Sequence, residues 1–159
     1  MKKDLDALLQ GLHNQDPRSI ARAISLVEND SEAAEVILTS LNQQQVDNSL
    51  VLGITGSPGV GKSTVTSALI RHLRNQSKRV GIIAVDPSSP ITGGALLGDR
   101  VRMMGHALDP DVVVRSMATR GRLGGLCAAA GAAVRIMAAA GCSPVIIETV
   151  GVGQSEMDI

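Results

Sequence analysis

The chain has 159 residues, of which 44% are apolar, and this fits one domain or a domain with a short extension around a hydrophobic core. Its 15 basic and 15 acidic side chains balance, and it has no Phe, Tyr or Trp, so binding to nucleic acid by bulk charge or by base stacking is not expected. No apolar run approaches the roughly 20 residues of a membrane span, and the charged start does not resemble a signal peptide, so we expect no membrane association and a cytoplasmic location.

The first part of the chain, residues 1–48, is predicted to be a helical N-terminal extension. In the segment DPRSIARAISLVEN, Asp16 is the expected N-cap and Pro17 the first helical residue. In a second segment, DSEAAEVILTSL at residues 30–41, apolar residues again recur at helical spacing. The polar run NQQQVDN, residues 42–48, is predicted to join this extension to the next unit.

From residue 49 to residue 159, short β-branched runs alternate with longer helical ones. Four runs are apolar on both faces, which is typical of strands in a parallel sheet that is covered on both sides. These predicted strands span residues 50–55, 79–85, 111–116 and 144–150. The predicted helices between them span residues 62–76, 99–107 and 123–140. The alternation predicts right-handed βαβ units and an α/β domain.

The first predicted strand is followed by GSPGVGKS, which fits the pattern G-x-x-x-x-G-K-[ST] and opens a predicted helix. Glycines let the backbone turn so that several N–H groups point at phosphate oxygens, and the helix start adds its unpaired N–H groups and its dipole. Lys62 offers a charge to the β- and γ-phosphates, and the Ser63 hydroxyl can ligate Mg²⁺. An ordinary glycine-rich turn does not account for Lys62 and Ser63 at the required positions. The predicted nucleotide-binding residues in this loop are Gly56, Pro58, Gly59, Val60, Gly61, Lys62, Ser63 and Thr64.

Three acidic residues, Asp86, Asp99 and Glu148, lie at the carboxyl ends of predicted strands or in the loops beyond them. Ligands bind at this edge of open α/β sheets, so each is predicted to bind Mg²⁺ or to position water. Asp86 also fits a turn before Pro87, and Asp99 also fits a helix N-cap. The predicted catalytic residues are Lys62, Asp86, Asp99 and Glu148. The predicted metal ligands are Ser63, Asp86, Asp99 and Glu148.

The remaining polar candidates have simpler interpretations. The histidines His13, His72 and His106 are isolated in the sequence and are expected on the surface or in packing contacts. Arg120 and Arg122 could meet phosphate or a partner, but solvated surface positions fit them as well.

Four segments together resemble one family. In order, they are TGSPGVGKST, AVDPSSPITGGALLGDRVRM, RSMATRGRLGGL and ETVGVGQSE. This set resembles the MeaB/ArgK family of P-loop GTPases, the methylmalonyl-CoA mutase-associated GTPases that are also labelled LAO/AO transport system ATPases, and the resemblance covers about residues 50–156. It implies a P-loop NTPase parallel sheet with flanking helices, incomplete in this chain, after the short helical extension.

The resemblance also implies a function. GTP and GDP with Mg²⁺ would be the cofactors, and GTP hydrolysis would gate cofactor loading and protect an adenosylcobalamin-dependent methylmalonyl-CoA mutase or a related mutase. Full-length family members would form homodimers. By position, Lys62 and Ser63 would hold phosphate and Mg²⁺, and the three acidic residues would coordinate Mg²⁺ and orient the attacking water. Gly151 in ETVG stands where many GTPases have D-x-x-G, so its N–H would sense the γ-phosphate.

One departure from the family pattern concerns recognition of the guanine base. The guanine-reading N-K-x-D motif is not among the 159 residues, so guanine specificity follows from the resemblance alone. An ATP-dependent kinase, as the ArgK label suggests, and a non-catalytic nucleotide-binding fragment remain alternatives. The chain resembles about half of a family member, so we expect it to be marginally stable and to show little preference for GTP over ATP.

Overall fold

The computed structural model describes residues 2–29, 31–57, 59–86, 106, 108–118 and 129–149. The described helices are α1 (Lys2–His13), α2 (Pro17–Asn29), α3 (Ser31–Ser40), α4 (Gln43–Asn48), α5 (Lys62–Asn75) and α6 (Ala130–Ala139). The described strands are β1 (Val51–Ile54), β2 (Val80–Asp86), β3 (Val112–Ala118) and β4 (Val145–Thr149). None of the described helices is long and apolar enough to cross a membrane.

The strands form one parallel sheet in the order β1-β4-β2-β3. Strand β4 lies between β1 and β2, and its Glu148 is in register with Ile54 on one side and with Ala84 on the other. Because all four strands run the same way, their carboxyl ends meet at one edge. The predicted parallel α/β sheet with flanking helices is therefore confirmed, and that edge is where the candidate site lies.

Burial differs between the inner and the outer strands. Every residue of β4 is buried, as predicted for a strand that is covered on both faces. The same prediction is wrong for β1, where Val51 is 46% exposed and Gly53 is exposed. Among the described strands, β1 pairs with β4 alone and ends the sheet, so it has a neighbour on one side only. Val114 of β3, at the opposite end of the sheet, is also partly exposed.

The N-terminal helices pack on the sheet and share its core. Ile20 and Ile24 of α2 are fully buried in one apolar cluster with α6 and with Ile83 of β2. Polar contacts of two arginines reinforce this packing. Arg115 of β3 pairs with Glu28 and donates to Ser25 Oγ at 3.0 Å, and Arg79 donates to the Gln15 carbonyl at 2.8 Å. The opposite face of the sheet is covered by α5, which buries Ile70 and Leu73.

The predicted start of α2 is confirmed in detail. The helix begins at Pro17, and Asp16 accepts from the Ser19 backbone N–H at 2.8 Å and from Ser19 Oγ at 2.7 Å. These two hydrogen bonds to the carboxylate lower the pKa of Asp16, since they favour its charged form. The cap therefore fixes the start of the helix that buries Ile20, Ala23 and Ile24 in the core.

Within the predicted joint at residues 42–48, Gln43–Asn48 form a short helix, α4, which was not among the predicted elements. Asn42 is its N-cap and accepts from the Gln45 backbone N–H at 3.3 Å. Val46 packs against the core of the N-terminal helices and α6. This tertiary contact stabilises a helix that the polar sequence alone did not indicate. The predicted helix at 99–107 lies almost entirely outside the described residues, as does the first part of the one at 123–140.

Candidate functional site

The candidate site lies at the carboxyl edge of the sheet, where β1 ends and α5 begins. Gly59 and Gly61 in the connecting loop have φ values of 80° and 95°, which residues with a side chain rarely adopt. Gly61 is the N-cap of α5, and a glycine has no side chain to cap the first-turn N–H groups. The loop and helix start therefore have the backbone chemistry that binds phosphate.

Lys62 is the first residue of α5, and its ammonium group folds back over the loop. It donates to the Gly56 carbonyl oxygen and, at 3.1 Å, to the Ser57 carbonyl oxygen. An ammonium group has three donors and carries a full positive charge. It is thus held directly beside the glycine loop, where the motif requires a cation. Val60, in the loop, and Thr64, in the first turn of α5, are exposed.

Ser63 and Glu148 form the central contact of the site. Ser63 Oγ donates to Glu148 Oε1 at 2.7 Å, which joins the start of α5 to the carboxyl end of β4. Glu148 is only 5% exposed, and its second oxygen, Oε2, is buried without a hydrogen-bond partner among the described residues. Burying a carboxylate oxygen without a partner costs free energy, so a cation or a hydrogen-bond donor beside Oε2 would stabilise the site.

The residues present fit a magnesium ion. A serine hydroxyl and a carboxylate are hard oxygen ligands of the kind that Mg²⁺ prefers beside phosphates. Among the described side chains, no group of three or more His, Cys, Asp or Glu is placed to hold a metal. Of the four predicted metal ligands, the described side chains are those of Ser63 and Glu148.

The other predicted site residues are only partly covered by the structure. The β2 backbone ends at Asp86, and the pairing of Val85 with Thr149 puts Asp86 at the same edge of the sheet as Glu148. The Asp86 side chain lies outside the described part of the chain. Three further predicted residues also lie outside it: Pro58, Asp99 and Gly151. Their roles stay predictions.

Two contacts near the site were not predicted. Thr149 Oγ1 donates to Thr55 Oγ1 at 3.3 Å, which links the ends of β4 and β1 beside the loop. Ser67 lies one helical turn after Ser63, and its Oγ is 3.1 Å from His106 Nε2. The spacing of four residues from Ser63 placed Ser67 on the same helix face, but the sequence carried no signal for its partner.

Comparisons with known proteins agree with this geometry. A family model described as methylmalonyl Co-A mutase-associated GTPase MeaB matches residues 20–159. A Pyrococcus horikoshii protein that carries a provisional GTPase name is 52% identical over 155 residues, which cover 98% of this chain and 49% of that protein. Escherichia coli GTPase ArgK is 39% identical over 154 residues, which cover 95% of this chain and 46% of that protein. The mouse protein named methylmalonic aciduria type A homolog, mitochondrial, is 36% identical over an alignment of 168 residues, which covers 98% of this chain and 40% of that protein.

A solved structure is similar as well. The crystal structure of an LAO/AO transport system kinase matches with a TM-score of 0.72 and 29% identity, over all of this chain and 47% of that one. The chain thus spans about half the length of the curated relatives that it matches. Since the family model covers most of the sequence, the chain belongs to the family of methylmalonyl-CoA mutase-associated GTPases, MeaB.

Proposed function

We propose that this chain carries the phosphate- and metal-binding part of a GTPase that serves an adenosylcobalamin-dependent methylmalonyl-CoA mutase. The observation that carries the proposal is the Ser63–Glu148 contact, in which a helix-start hydroxyl meets a buried carboxylate beside the glycine loop. The carboxylate oxygen without a described partner supports a cation at this point. Family membership supports a guanine nucleotide as the ligand.

In this proposal the loop and Lys62 bind the phosphates of GTP or GDP. Backbone N–H groups at the start of α5 donate to phosphate oxygens, and the helix dipole favours their negative charge. Lys62 donates to carbonyl oxygens of Gly56 and Ser57 in the structure, and the β- and γ-phosphate oxygens offer the same ammonium group stronger, charged acceptors. The role of this part of the site is to hold the phosphate chain in one orientation.

Ser63 and Glu148 would hold Mg²⁺, either directly or through bound water, with Asp86 and Asp99 as further proposed ligands. Ser63 donates its hydroxyl hydrogen bond to Glu148, so the lone pairs of its oxygen would remain available to a metal. When bound, Mg²⁺ neutralises charge that develops on the β- and γ-phosphates. Asp86, Asp99 or Glu148 would orient the attacking water, and the Gly151 N–H would respond to the γ-phosphate.

The proposed partner is methylmalonyl-CoA mutase or a related cobalamin-dependent mutase. The description of the matching family names an association with this mutase, and the name of the mouse relative refers to methylmalonic aciduria. We propose that GTP binding and hydrolysis gate cofactor loading and protect the mutase, that the full-length protein is a homodimer, and that it is cytoplasmic. Neither nucleic acid nor a membrane is a proposed partner.

The test compares GTP and ATP in a full-length version of the protein. We expect Mg²⁺-dependent release of phosphate from GTP and slower loss of mutase activity when the GTPase is present. This chain alone, which lacks N-K-x-D, is expected to bind GDP and ADP with similar affinity. Failure of the full-length protein to bind GTP would overturn the nucleotide assignment, and normal GTP hydrolysis with no effect on the mutase would overturn the partner alone.

A kinase is the second candidate, because the similar solved structure is described as a transport system kinase. A kinase moves the terminal phosphoryl group to an acceptor molecule, whereas a GTPase moves it to water. Nucleotide labelled at the γ-phosphate separates the two. Label that appears only in inorganic phosphate supports the GTPase, and label on a small molecule or protein supports the kinase.

A further inference from the structure

One face of α5 carries three polar side chains, Ser63, Ser67 and Arg74, which we call the α5 polar face. Their spacings of four and seven residues bring them to the same side of the helix. Ser63 contacts Glu148, Ser67 contacts His106, and Arg74 pairs with two aspartates near the start of β3. The same face thus touches the metal-binding pair at one end and the chain before β3 at the other.

The chain before β3, His106 with residues 108–111, is held firmly and is called the pre-β3 turn. Arg74 donates from Nε to Asp109 and from Nη2 to Asp111, each at 2.8 Å. Within the turn, the Asp111 N–H donates to Asp109 Oδ1 at 2.9 Å, and the Asp109 N–H donates to the His106 carbonyl at 3.1 Å. His106 is therefore anchored through its backbone, whether or not its ring makes a contact.

The start of α5 has less apolar support than its end. The helix buries Ile70 and Leu73 in its second half. In the first turn Thr64 is exposed, and Val65 is 59% exposed. Thr66 is buried, but its hydroxyl bonds within the helix, to the Lys62 carbonyl at 3.0 Å. Side-chain hydrogen bonds to other elements therefore matter most where the helix meets the phosphate loop.

We propose that His106 is a positioning residue for the metal-binding pair. Its ring holds Ser67, and Ser67 fixes the first turns of α5, so that Ser63 stays within hydrogen-bond distance of Glu148. The hydroxyl of Ser67 can rotate to donate or accept, so the contact forms with either tautomer of the ring. This inference rests on the proposed function, because it concerns Mg²⁺ bound with a nucleotide.

The test is a double-mutant cycle on Ser67→Ala and His106→Ala in this chain. The affinity for GDP is measured with MgCl₂ and with EDTA, using a fluorescent GDP derivative, for which a chain without aromatic residues gives little background. We expect each variant to lower the Mg²⁺-induced gain in affinity by roughly fivefold, the effect of losing one hydrogen bond, and to leave the affinity in EDTA unchanged. The double variant should lose no more than either single one.

Two further variants separate positioning from general damage. Leu108→Ala alters a side chain that is 94% exposed in the same turn, and it should keep the full Mg²⁺ effect. His106→Gln keeps a polar side chain and should recover most of the lost effect. Melting curves show whether each variant is folded, and Ser67→Ala puts a strong helix former on α5, so folding is expected to persist.

Several outcomes would overturn the inference. An unchanged Mg²⁺ effect in His106→Ala would do so, and so would losses that simply add in the double variant. In both cases the wild-type chain still binds GDP, and the proposed function stands. If the wild-type chain binds no nucleotide with or without Mg²⁺, the proposed function itself fails and the role of His106 fails with it.

Discussion

Lys62 lies against the carbonyl oxygens of Gly56 and Ser57, in the loop where the phosphates are proposed to bind. We predict that Lys62→Ala lowers nucleotide affinity by about tenfold or more, because a charge-assisted hydrogen bond is worth roughly 1.5–3 kcal/mol. Calorimetry measures the effect. Lys78→Ala removes an exposed lysine just beyond the other end of α5 and should leave the affinity intact. Equal affinities for all three proteins would argue against a phosphate-binding loop.

Glu148 is predicted to matter more for turnover than for binding. Glu148→Gln retains an acceptor for Ser63 but removes the charge that would act on Mg²⁺ or on the attacking water. In a full-length version of the protein, we expect kcat for GTP to fall by at least tenfold and the affinity for GTP to change little. Glu35→Gln, on an exposed position of α3, is the matched control. Losses of equal size in turnover and affinity would point to a structural role for Glu148.

The sequence predicted the positions of candidate-site residues where a local pattern or a strand end determines them, and their roles stay predictions. Gly61, Lys62 and Ser63 follow from a motif with fixed spacing, and the parallel strands bring Glu148 to the same edge. The contact between Ser67 and His106 was not predicted, because these residues are 39 positions apart and only the folded chain brings them together. An isolated histidine and a helical serine occur too commonly to indicate such a pair.

At the scale of elements, Arg74 links the end of α5 to the pre-β3 turn through Asp109 and Asp111. Its hydrogen bond to Asp109 lowers the pKa of that carboxyl group. A carboxyl group whose pKa is lowered by folding contributes stability above its unfolded pKa, about 3.9, and this contribution is lost as the pH falls through the lower folded value. Arg74→Gln should therefore lower the free energy of unfolding by about 1 kcal/mol at pH 7, and by less below pH of about 4.

Urea unfolding followed by circular dichroism at several pH values measures this difference. Arg71→Gln changes an exposed arginine on the same helix and should have little effect at any pH. If the difference in the free energy of unfolding between wild type and Arg74→Gln stays constant from neutral to acidic pH, the ion pairs with Asp109 and Asp111 are not its cause.

The elements themselves were mostly predictable, and physical causes explain why the sequence did not indicate the helix α4 or the exposure of β1. The six residues of α4 include one apolar side chain, Val46, which is too few to show a helical period. The apolar run of β1 indicates a strand, but the order of strands is set by packing over the whole sheet, so the run did not reveal that Val51 lies on an outer strand. Residue propensities indicate whether a segment forms a helix or a strand, but they do not indicate which elements pack beside it.

For the whole molecule, the central question is whether residues 1–48 unfold separately from the sheet. The apolar stripe of α2 was visible in the sequence, but its docking site was not, because a periodic pattern does not identify the surface that covers it. In the structure Ile20 and Ile24 share one core with β2 and α6. We therefore expect one cooperative unfolding transition for the helices and the sheet together.

Ile24→Ala tests this expectation, and it should lower the free energy of unfolding by about 2–5 kcal/mol. Val36→Ala, at a largely exposed position of α3, should change it much less. Cys142 provides a probe on the sheet side, since its thiol is buried and burial raises its pKa to about 11. The chain has one other cysteine, Cys127, which is replaced by serine in all variants so that only Cys142 can be labelled. Thiol labelling of Cys142 should speed up in Ile24→Ala and not in Val36→Ala. A loss of helical signal with unchanged Cys142 labelling would mean that the two parts unfold independently.

The hydrogen bond between Ser63 and Glu148 has a consequence for the kinetics of the proposed nucleotide binding. Glu148 lies on a strand that is paired on both sides, and Ser63 donates to its carboxylate, so this group is oriented once the sheet and α5 have packed together. The entropy of ordering this group is then lost during folding and not during each encounter with a nucleotide. Such preorganisation favours association in a single fast step. Substitutions near Glu148 are then expected to change mainly the rate constant for nucleotide dissociation, and to change the rate constant for association less.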